Sequence, residues 1–253
     1  MKWILNRFPR TFLIRASIGL RPLLDLYFKG NRYTDPINQK SYRKFLDYGY
    51  HNLRKNVLCP GTLSLERHRL LWLYLERKTN FFNQSLRVLH LAPEQAFYKA
   101  FKQIEQWEYI TADLNSPLAE VQADICELPF KDNSFDLIFC NHVLEHIPDD
   151  RKAMRELFRV LKPGGGAFLQ VPMEQERDST FEDNTITDPE ERAQIFGQYD
   201  HVRIYGKDFL NRLEAVGFKV QGINFTQELT PEEIQTYVLP EGEWIPWAQK
   251  PQS

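Results

Sequence analysis

The chain has little cysteine, little net charge and no long hydrophobic run among its 253 residues. Its three cysteines are widely spaced, and Cys126 and Cys140 lie in apolar stretches, so we expect reduced thiols and a cytoplasmic protein. The net charge of −2 provides no overall field that would attract nucleic acid. No stretch approaches the roughly 18 consecutive apolar residues of a membrane span. What remains is an ordinary globular composition that can bury a sizeable core.

The first 30 residues are basic and amphipathic. Six Lys and Arg residues alternate with apolar side chains, against a single acid, Asp25. Arginine and proline interrupt every apolar run, which excludes a secretory signal peptide. Such a segment can lie on an anionic membrane surface, so a peripheral contact with the inner face of the membrane is one interpretation. The alternative, which we favour, is a helix packed on the main domain or on a second subunit.

Short apolar runs alternate with helical patterns from residue 86 onward. We predict strands over 87–91, 108–112, 119–123, 135–140, 166–172, 218–225 and 242–249, and helices over 94–105, 150–161 and 206–216. Strands that alternate with helices imply parallel pairing, so the predicted fold is α/β with a doubly wound, mostly parallel sheet. Residues 81–253 form this domain. Residues 1–80 form an N-terminal extension, with a loop-rich part over 31–63 and a helix whose N-cap is Ser64.

Candidate ligand-binding residues follow the first four predicted strands, because doubly wound sheets bind ligands outside the carboxyl ends of their strands. They are His90, Ala92 and Glu94, then Asp113 and Leu114, then Asp124 and Ile125, and finally Asn141 and His142. A carboxylate after the second strand can accept hydrogen bonds from both hydroxyls of a ribose. A carboxylate after the third strand can accept from an adenine amino group, while an aliphatic neighbour packs against the ring.

The stretch "FDLIFCNHVLEHIPDDRKAMRELFRVLKPGGGAFLQVP", residues 135–172, resembles class I S-adenosylmethionine-dependent methyltransferases of the type 11 kind. The resemblance covers roughly residues 86–225 and implies a Rossmann-like, seven-stranded sheet with a reversed last hairpin. It also implies S-adenosylmethionine as the cofactor, without a metal. Asp113 is then expected on the ribose, Asp124 and Ile125 at the adenine, and Asn141 near the methionine portion. Glu145 and His146 are expected to form structural hydrogen bonds, and Pro163–Gly166 to form a turn before the fifth strand.

The first loop, "RVLHLAPEQAF", departs from the family pattern because it has no glycine. His90 replaces the family's acid, and Ala92, Glu94 and Ala96 replace its glycines. Alanine can stand for glycine wherever φ is negative. A carboxylate at Glu94 would repel the pyrophosphate of a dinucleotide but could pair with the ammonium group of S-adenosylmethionine. Alternatively, "APEQ" is only a good helix start. The loop also resembles a recurring variant among bacterial methyltransferase-like sequences.

Residues 35–69 carry a fainter resemblance to a small zinc ribbon that precedes the methyltransferase domain in relatives of this variant type. Asp35, Asn38, Cys59 and Thr62 stand where that ribbon has four cysteines. One thiol with two carbonyl-type side chains and a hydroxyl is a poor tetrahedral zinc site. We therefore expect the shape of the ribbon to survive in part, without metal.

A polar segment over about 174–205 is too long for an ordinary connection and is interpreted as a lid. Its candidate residues are Tyr199, Asp200, His201, Arg203 and Tyr205, which either face the substrate or fix the lid through surface hydrogen bonds. If the acceptor must lose a proton, His201 and His142 are the candidate bases.

The leading hypothesis is an S-adenosylmethionine-dependent methyltransferase that acts on a small-molecule, lipid-linked or glycan acceptor. The alternative is a vestigial, non-catalytic module that binds the cofactor or another protein. A nicotinamide-dependent oxidoreductase is disfavoured by Glu94 and by the missing phosphate-binding glycines.

Overall fold

The computed structural model describes residues 10–49 and 53–252. The chain forms two compact units, each built from separate segments of the sequence. The sheet unit comprises Gln84–Pro93, Glu105–Ile223 and Trp244–Ser253. The hairpin unit comprises Met1–Asn83, Glu94–Ile104 and Asn224–Glu243. The predicted domains, 1–80 and 81–253, are continuous in sequence and stay a prediction.

The sheet unit is built on a seven-stranded sheet. Its strands are β5 (Leu86–Leu91), β6 (Trp107–Asp113), β7 (Val121–Gln122), β8 (Phe135–Cys140), β9 (Leu161–Phe168), β12 (Lys219–Ile223) and β13 (Ile245–Gln249). Their order is β12-β13-β9-β8-β5-β6-β7. β13 runs antiparallel to both of its neighbours, and all other pairs are parallel. The predicted fold class, a doubly wound and mostly parallel sheet with a reversed last hairpin, is confirmed.

Three α-helices belong to the sheet unit: α4 (Asp150–Val160), α5 (Pro189–Ile195) and α6 (Phe209–Glu214). Helix α4 begins at Asp149, whose side chain accepts a hydrogen bond from the Lys152 backbone N–H at 2.9 Å. Leu157 of α4 and Phe209 of α6 are fully buried in one apolar core with strand residues such as Ile138. Helices α4 and α6 therefore cover apolar strands of the sheet.

The segment predicted as a lid folds back on itself within the sheet unit. Strands β10 (Phe181–Glu182) and β11 (Arg203–Ile204) pair antiparallel, and α5 lies between them in sequence. The Lys207 backbone N–H also donates to the Arg177 carbonyl at 2.9 Å. Backbone hydrogen bonds therefore join the beginning of this segment to its end.

The described residues of the hairpin unit form two β-hairpins and four α-helices. Strands β1 (Lys29–Asp35) and β2 (Lys40–Tyr42) pair antiparallel, as do β3 (Leu46–Tyr48) and β4 (Arg54–Leu58). The helices are α1 (Arg10–Tyr27), α2 (Glu66–Lys78), α3 (Gln95–Phe101) and α7 (Pro231–Tyr237). The prediction of a loop-rich part over 31–63 missed these four short strands, although turns and loops connect them. The sequence pattern did not reveal these strands because they are only three to seven residues long and rich in polar residues.

The buried side chain of Arg69 ties the segments of the hairpin unit together. Its Nε donates to the Tyr237 carbonyl at 2.6 Å, and Nη2 donates to the Val238 carbonyl at 2.7 Å. Nη1 donates to the carbonyls of Val57 and Ser64 at 3.1 and 2.8 Å. Four carbonyl partners satisfy a charge that burial would otherwise make costly.

Helix α1 ends in contact with the first hairpin. Asp25 accepts a hydrogen bond from the Tyr42 hydroxyl at 2.5 Å and forms an ion pair with Lys40. Residues 1–9 of the predicted amphipathic segment lie outside the described residues. Within the described part of the chain, no helix has the length and apolar character needed to cross a membrane.

Two local predictions are wrong. The N-cap of α2 is Leu65, not Ser64, because the Ser64 hydroxyl donates to Asp35 at 3.2 Å instead. Pro163–Gly166 lies inside β9, not before it, and the pairing of β8 with β9 shifts register across this stretch. Gly164 has a φ of +80°, a value that favours glycine. Glycine at this position therefore allows the irregular backbone within the strand.

As expected, no disulfide links Cys59, Cys126 or Cys140 to another cysteine in the described residues.

Candidate functional site

The carboxyl ends of β6 and β7 bring two acids to the same edge of the sheet, since Asp113 pairs in register with Gln122 of the neighbouring strand. Asp113 Oδ1 accepts hydrogen bonds from the backbone N–H groups of Asn115 and Ser116 at 2.7 and 2.5 Å. One carboxylate oxygen therefore holds the turn, and Oδ2 is the oxygen suited to accept from a ligand hydroxyl.

The residues around these acids offer both polar and apolar surface. Leu114 is 54% exposed and therefore offers apolar surface to a ligand beside the turn. Asp124 is exposed, and its Oδ1 accepts from the Cys126 backbone N–H at 2.8 Å. Ile125 is buried and joins the core of the sheet unit. The predicted roles of these residues toward an adenosine stay predictions, and the geometry is compatible with them.

The glycine-free loop after β5 keeps a glycine-like backbone. Ala92 has a φ of +47°, in the left-handed region, and its N–H donates to the Ala112 carbonyl at 2.9 Å. Ala92 therefore does not meet the condition of a negative φ under which alanine replaces glycine without strain. An L-residue in this region is strained by roughly 1–2 kcal/mol, and such strain persists only where surrounding structure enforces it.

His90 lies inside the sheet and is fully buried. Its Nδ1 is 2.7 Å from the Tyr109 hydroxyl, and its ring packs 5.9 Å from the Phe139 ring. These contacts are made to β6 and β8, the two strands that flank β5. The predicted cofactor contact of His90 stays a prediction.

Glu94 belongs to the hairpin unit, where it is the N-cap of α3. Its Oε1 is 2.8 Å from His68 Nε2, and its side chain is 13% exposed. His68 Nδ1 accepts a hydrogen bond from the Leu65 backbone N–H at 2.9 Å, so the proton of a neutral ring sits on Nε2 and points to Glu94. Sequence reasoning did not anticipate His68 as the partner of this carboxylate.

The end of β8 carries buried polar groups that face the end of β9. Asn141 is 2% exposed, and its Oδ1 lies 3.4 Å from the Gln170 backbone N–H. His142 has a φ of +53°, and its N–H donates to the Gln170 carbonyl at 2.7 Å. Both amide atoms of the Gln170 side chain are buried and lack a partner within the described part of the chain. A buried amide without partners is costly, so Gln170 is a candidate ligand-binding residue.

Gln170 was missed by the sequence analysis. The signal was present, because Gln170 is the lone polar residue in the apolar run "AFLQVP" and lies near the end of the predicted strand 166–172.

The two predicted bases, His142 and His201, lie in one cluster with Glu145 and His146. His142 Nδ1 is 3.3 Å from Glu145 Oε1. His146 Nδ1 is 3.4 Å from Asp200 Oδ2, and its ring centroid is 4.7 Å from that of His201. The Val202 backbone N–H donates to the Glu145 carbonyl at 2.9 Å, which brings the segment containing His201 to the end of β8.

The cluster shifts the pKa values of its members in different directions. Burial lowers the pKa of His201, which keeps this imidazole neutral at pH 7. Burial acts the same way on His146, but hydrogen bonding to Asp200 and the charge of Glu145 outweigh it and raise the pKa. Burial alone would raise the pKa of Asp200, whereas the hydrogen bond and charge of His146 lower it to about 2.

Two of the predicted lid residues are buried and bind the protein itself. Arg203 is 2% exposed, and its guanidinium donates to the carbonyls of residues 144, 147 and 148 and to Glu182. Tyr205 is fully buried, and its hydroxyl donates to Asp150 at 2.7 Å. Tyr199, in contrast, is 55% exposed. The geometry favours a structural role for Arg203 and Tyr205. The hydrogen bonds by which they hold the segment are buried, whereas the sequence analysis expected such bonds on the surface.

Comparison with known proteins agrees with this geometry. Residues 75–169 match the family model of a methyltransferase domain. The strand order and the reversed last hairpin are those that the resemblance to class I methyltransferases implies. The crystal structure of the [4+2]-cyclase SpnF shares the fold, with a TM-score of 0.51 and 15% identity over 87% of this chain and 92% of that chain.

Among curated proteins, the chain is 32% identical over 131 residues to the ubiquinone/menaquinone biosynthesis C-methyltransferase UbiE of Haemophilus ducreyi. This match covers 44% of the chain and 50% of the relative. A 27-O-demethylrifamycin SV methyltransferase of Amycolatopsis mediterranei is 42% identical over 65 residues, 24% of each protein. The chain thus spans about half or less of the length of the curated relatives that it matches first.

Proposed function

We propose that the chain is an S-adenosylmethionine-dependent methyltransferase that acts on a small-molecule acceptor. The observation that carries the proposal is Asp113 at the carboxyl end of the second strand, with Oδ1 holding a turn and Oδ2 available to a ribose. The match of residues 75–169 to a methyltransferase domain supports the same function. The two curated relatives described above are named as methyltransferases and support it further.

In this proposal the adenosine lies on the exposed polar and apolar groups after β6 and β7. Asp113 accepts from the ribose hydroxyls, and Asp124 accepts from the adenine amino group. Leu114 provides exposed apolar surface, whereas Ile125, which is largely buried, packs behind the ring. Asn141 lies near the methionine portion. Transfer of a methyl group from a sulfonium is an in-line displacement, so the protein mainly aligns the acceptor and excludes water. His142 or His201 serves as the base if the acceptor must lose a proton.

We also propose, from the sequence, that the Glu94 carboxylate pairs with the ammonium group of the cofactor. Within the hairpin unit this carboxylate is held by His68, which fixes its direction. Glu94→Gln keeps the shape and an acceptor for His68 Nε2 but removes the charge. We expect it to weaken S-adenosylmethionine binding by roughly 1–3 kcal/mol, the worth of a charged hydrogen bond. An unchanged dissociation constant would refute the pairing.

The two hairpins are proposed to derive from a zinc ribbon that no longer binds metal. Asp35 accepts hydrogen bonds from the hydroxyls of Thr62 and Ser64, so this carboxylate is engaged by protein groups. Burial and the nearby Asp35 charge raise the pKa of Cys59 to about 12, so the side chain is a thiol in the metal-free protein. A sulfur ligand in the zinc X-ray absorption spectrum of the protein would contradict this proposal.

The function is tested by titrating the purified chain with S-adenosylmethionine, S-adenosylhomocysteine and NAD in a calorimeter. We expect micromolar binding of the first two and none of NAD. Binding of none of the three would favour the vestigial module, and binding of NAD alone would favour an oxidoreductase. Methyl transfer to extracted metabolites then separates a catalytic protein from one that only binds the cofactor.

A further inference from the structure

The cluster at the end of β8 has the composition of a metal site. Glu145, His146 and His201 each place one ligand atom within 4.8 Å of the ligand atoms of the other two. Two imidazoles and one carboxylate are a common donor set for divalent transition metals. In a tetrahedral site with bonds of about 2.1 Å, donor atoms lie roughly 3.4 Å apart, so the distances between the three ligand atoms need to shorten by up to about 1.4 Å.

Both imidazoles are oriented for metal binding by hydrogen bonds to backbone carbonyls. His146 Nδ1 donates to the Asp200 carbonyl oxygen at 3.2 Å, and His201 Nδ1 donates to the Phe196 carbonyl oxygen at 3.2 Å. A carbonyl can only accept, so each ring carries its proton on Nδ1 and a lone pair on Nε2 when neutral. Metal-binding histidines are held in this way, with the second nitrogen donating to a carbonyl or carboxylate.

The carboxylate of Glu145 provides a second, independent indication. Its side chain is 2% exposed, and Oε1 faces His142 Nδ1 at 3.3 Å. Oε2 is buried and has no hydrogen-bond partner in the described residues. A buried carboxylate oxygen without a donor is costly, and a cation is the ligand that would satisfy it.

The surrounding chain holds these three residues in place. The buried guanidinium of Arg203 donates to the carbonyls of Leu144 and Pro148 at 2.8 Å, on either side of Glu145 and His146. The Val202 N–H donates to the Glu145 carbonyl at 2.9 Å, next to His201. Side chains supported by such contacts lose little freedom when an ion binds.

We propose that Glu145, His146 and His201 bind a divalent transition-metal ion, through Glu145 Oε2 and the Nε2 atoms of the two histidines. Three protein ligands leave at least one coordination position open, which is the arrangement of catalytic rather than structural sites. This inference departs from the expectation, implied by the family resemblance, of a methyltransferase without a metal.

The role of the ion rests on the proposed function. An ion with an open position binds an oxygen of the acceptor and lowers the pKa of its hydroxyl, which favours phenols, enols and similar oxygen acids. The hydroxyl proton passes to water, and the acceptor supplies the electron pair of the new bond to the methyl carbon. The carbon–sulfur bond breaks with its electron pair remaining on sulfur, which gives S-adenosylhomocysteine. His201 then acts as a metal ligand and not as the base.

Metal binding is tested on the full chain, stripped with a chelator and titrated with Zn²⁺ against a chromophoric zinc indicator. Mn²⁺ and Mg²⁺ are titrated in parallel to identify the class of ion. We expect one Zn²⁺ per chain, with affinity reduced roughly 100-fold or more in both His146→Ala and His201→Ala. Glu191→Gln, which changes an exposed carboxylate on α5, is the matched control and is expected to bind as the wild type does.

X-ray absorption at the zinc edge reports the ligands directly. We expect nitrogen and oxygen ligands with the scattering pattern of two imidazoles in the wild type, and loss of one imidazole in His201→Ala. Wild-type binding no tighter than that of the two alanine variants, or a spectrum without imidazole, would overturn the site. Since this experiment contains no S-adenosylmethionine, its result is independent of whether the proposed methyl transfer is correct.

Discussion

Replacement of Asp113 by asparagine isolates the contact that the proposed cofactor site depends on most. Oδ1 of Asp113 accepts from two backbone N–H groups, of Asn115 and Ser116. An asparagine oxygen at the same place can accept both bonds, so the turn is expected to survive. The other atom changes from a charged acceptor to an NH₂ donor, which cannot accept from a ribose hydroxyl.

The expected loss is one charge-assisted hydrogen bond, about 1.5–3 kcal/mol, or a dissociation constant about 10- to 150-fold higher. Calorimetric titration with S-adenosylhomocysteine measures it, and circular dichroism checks that the fold is retained. Asp183→Asn is the matched control, because Asp183 Oδ1 accepts from the Thr185 N–H at 2.8 Å in a similar turn within the predicted lid. An affinity within twofold of the wild type in Asp113→Asn would refute the assignment of the ribose to this residue.

Three further predictions concern stability, each measured by urea denaturation. Ala92→Gly relieves the left-handed strain at φ +47° and is expected to raise the free energy of unfolding by about 1 kcal/mol; a decrease would show that the strain argument is wrong. Arg203→Met leaves three carbonyls without their buried donor and is expected to cost about 2–4 kcal/mol, so a neutral result would contradict its structural role. Cys59 has a folded pKa of about 12 against about 8.5 unfolded. Its contribution is complete below pH 8.5 and falls as pH rises toward 12, by up to about 1.4 kcal/mol per unit. The Cys59→Ala variant is expected to lose less stability than the wild type as pH rises. If the free energy of unfolding depends on pH identically in the two proteins, the raised pKa of Cys59 is refuted.

The sheet could be predicted because its strands are nearly continuous apolar runs, such as Phe135–Cys140, separated by helical patterns. That signal is local, so it can be read from the sequence without knowing which residues contact each other in the fold. The hairpins over 29–58 escaped prediction because their strands carry mostly polar side chains, and what stabilises them is distant in sequence. The Arg69 guanidinium, for example, binds carbonyls at residues 57, 64, 237 and 238.

The candidate site was predictable where its residues follow strands and not where it depends on contacts between distant segments. Asp113 and Asp124 end neighbouring strands, so topology alone brings them to one edge. His146 and His201 are 55 positions apart in sequence, and their meeting depends on the contacts of Arg203 with the 144–148 segment. Arg203 and Tyr205 looked like exposed lid residues for the same reason, since no local pattern distinguishes a buried arginine from a surface one.

The most direct measurement of the central claim is a crystal structure of the full chain with S-adenosylhomocysteine. The account predicts the ribose hydroxyls within hydrogen-bond distance of Asp113 Oδ2 and the adenine amino group beside Asp124, at the carboxyl ends of β6 and β7. A nucleoside bound elsewhere, or clear density for this edge with no ligand at saturating concentration, would contradict it.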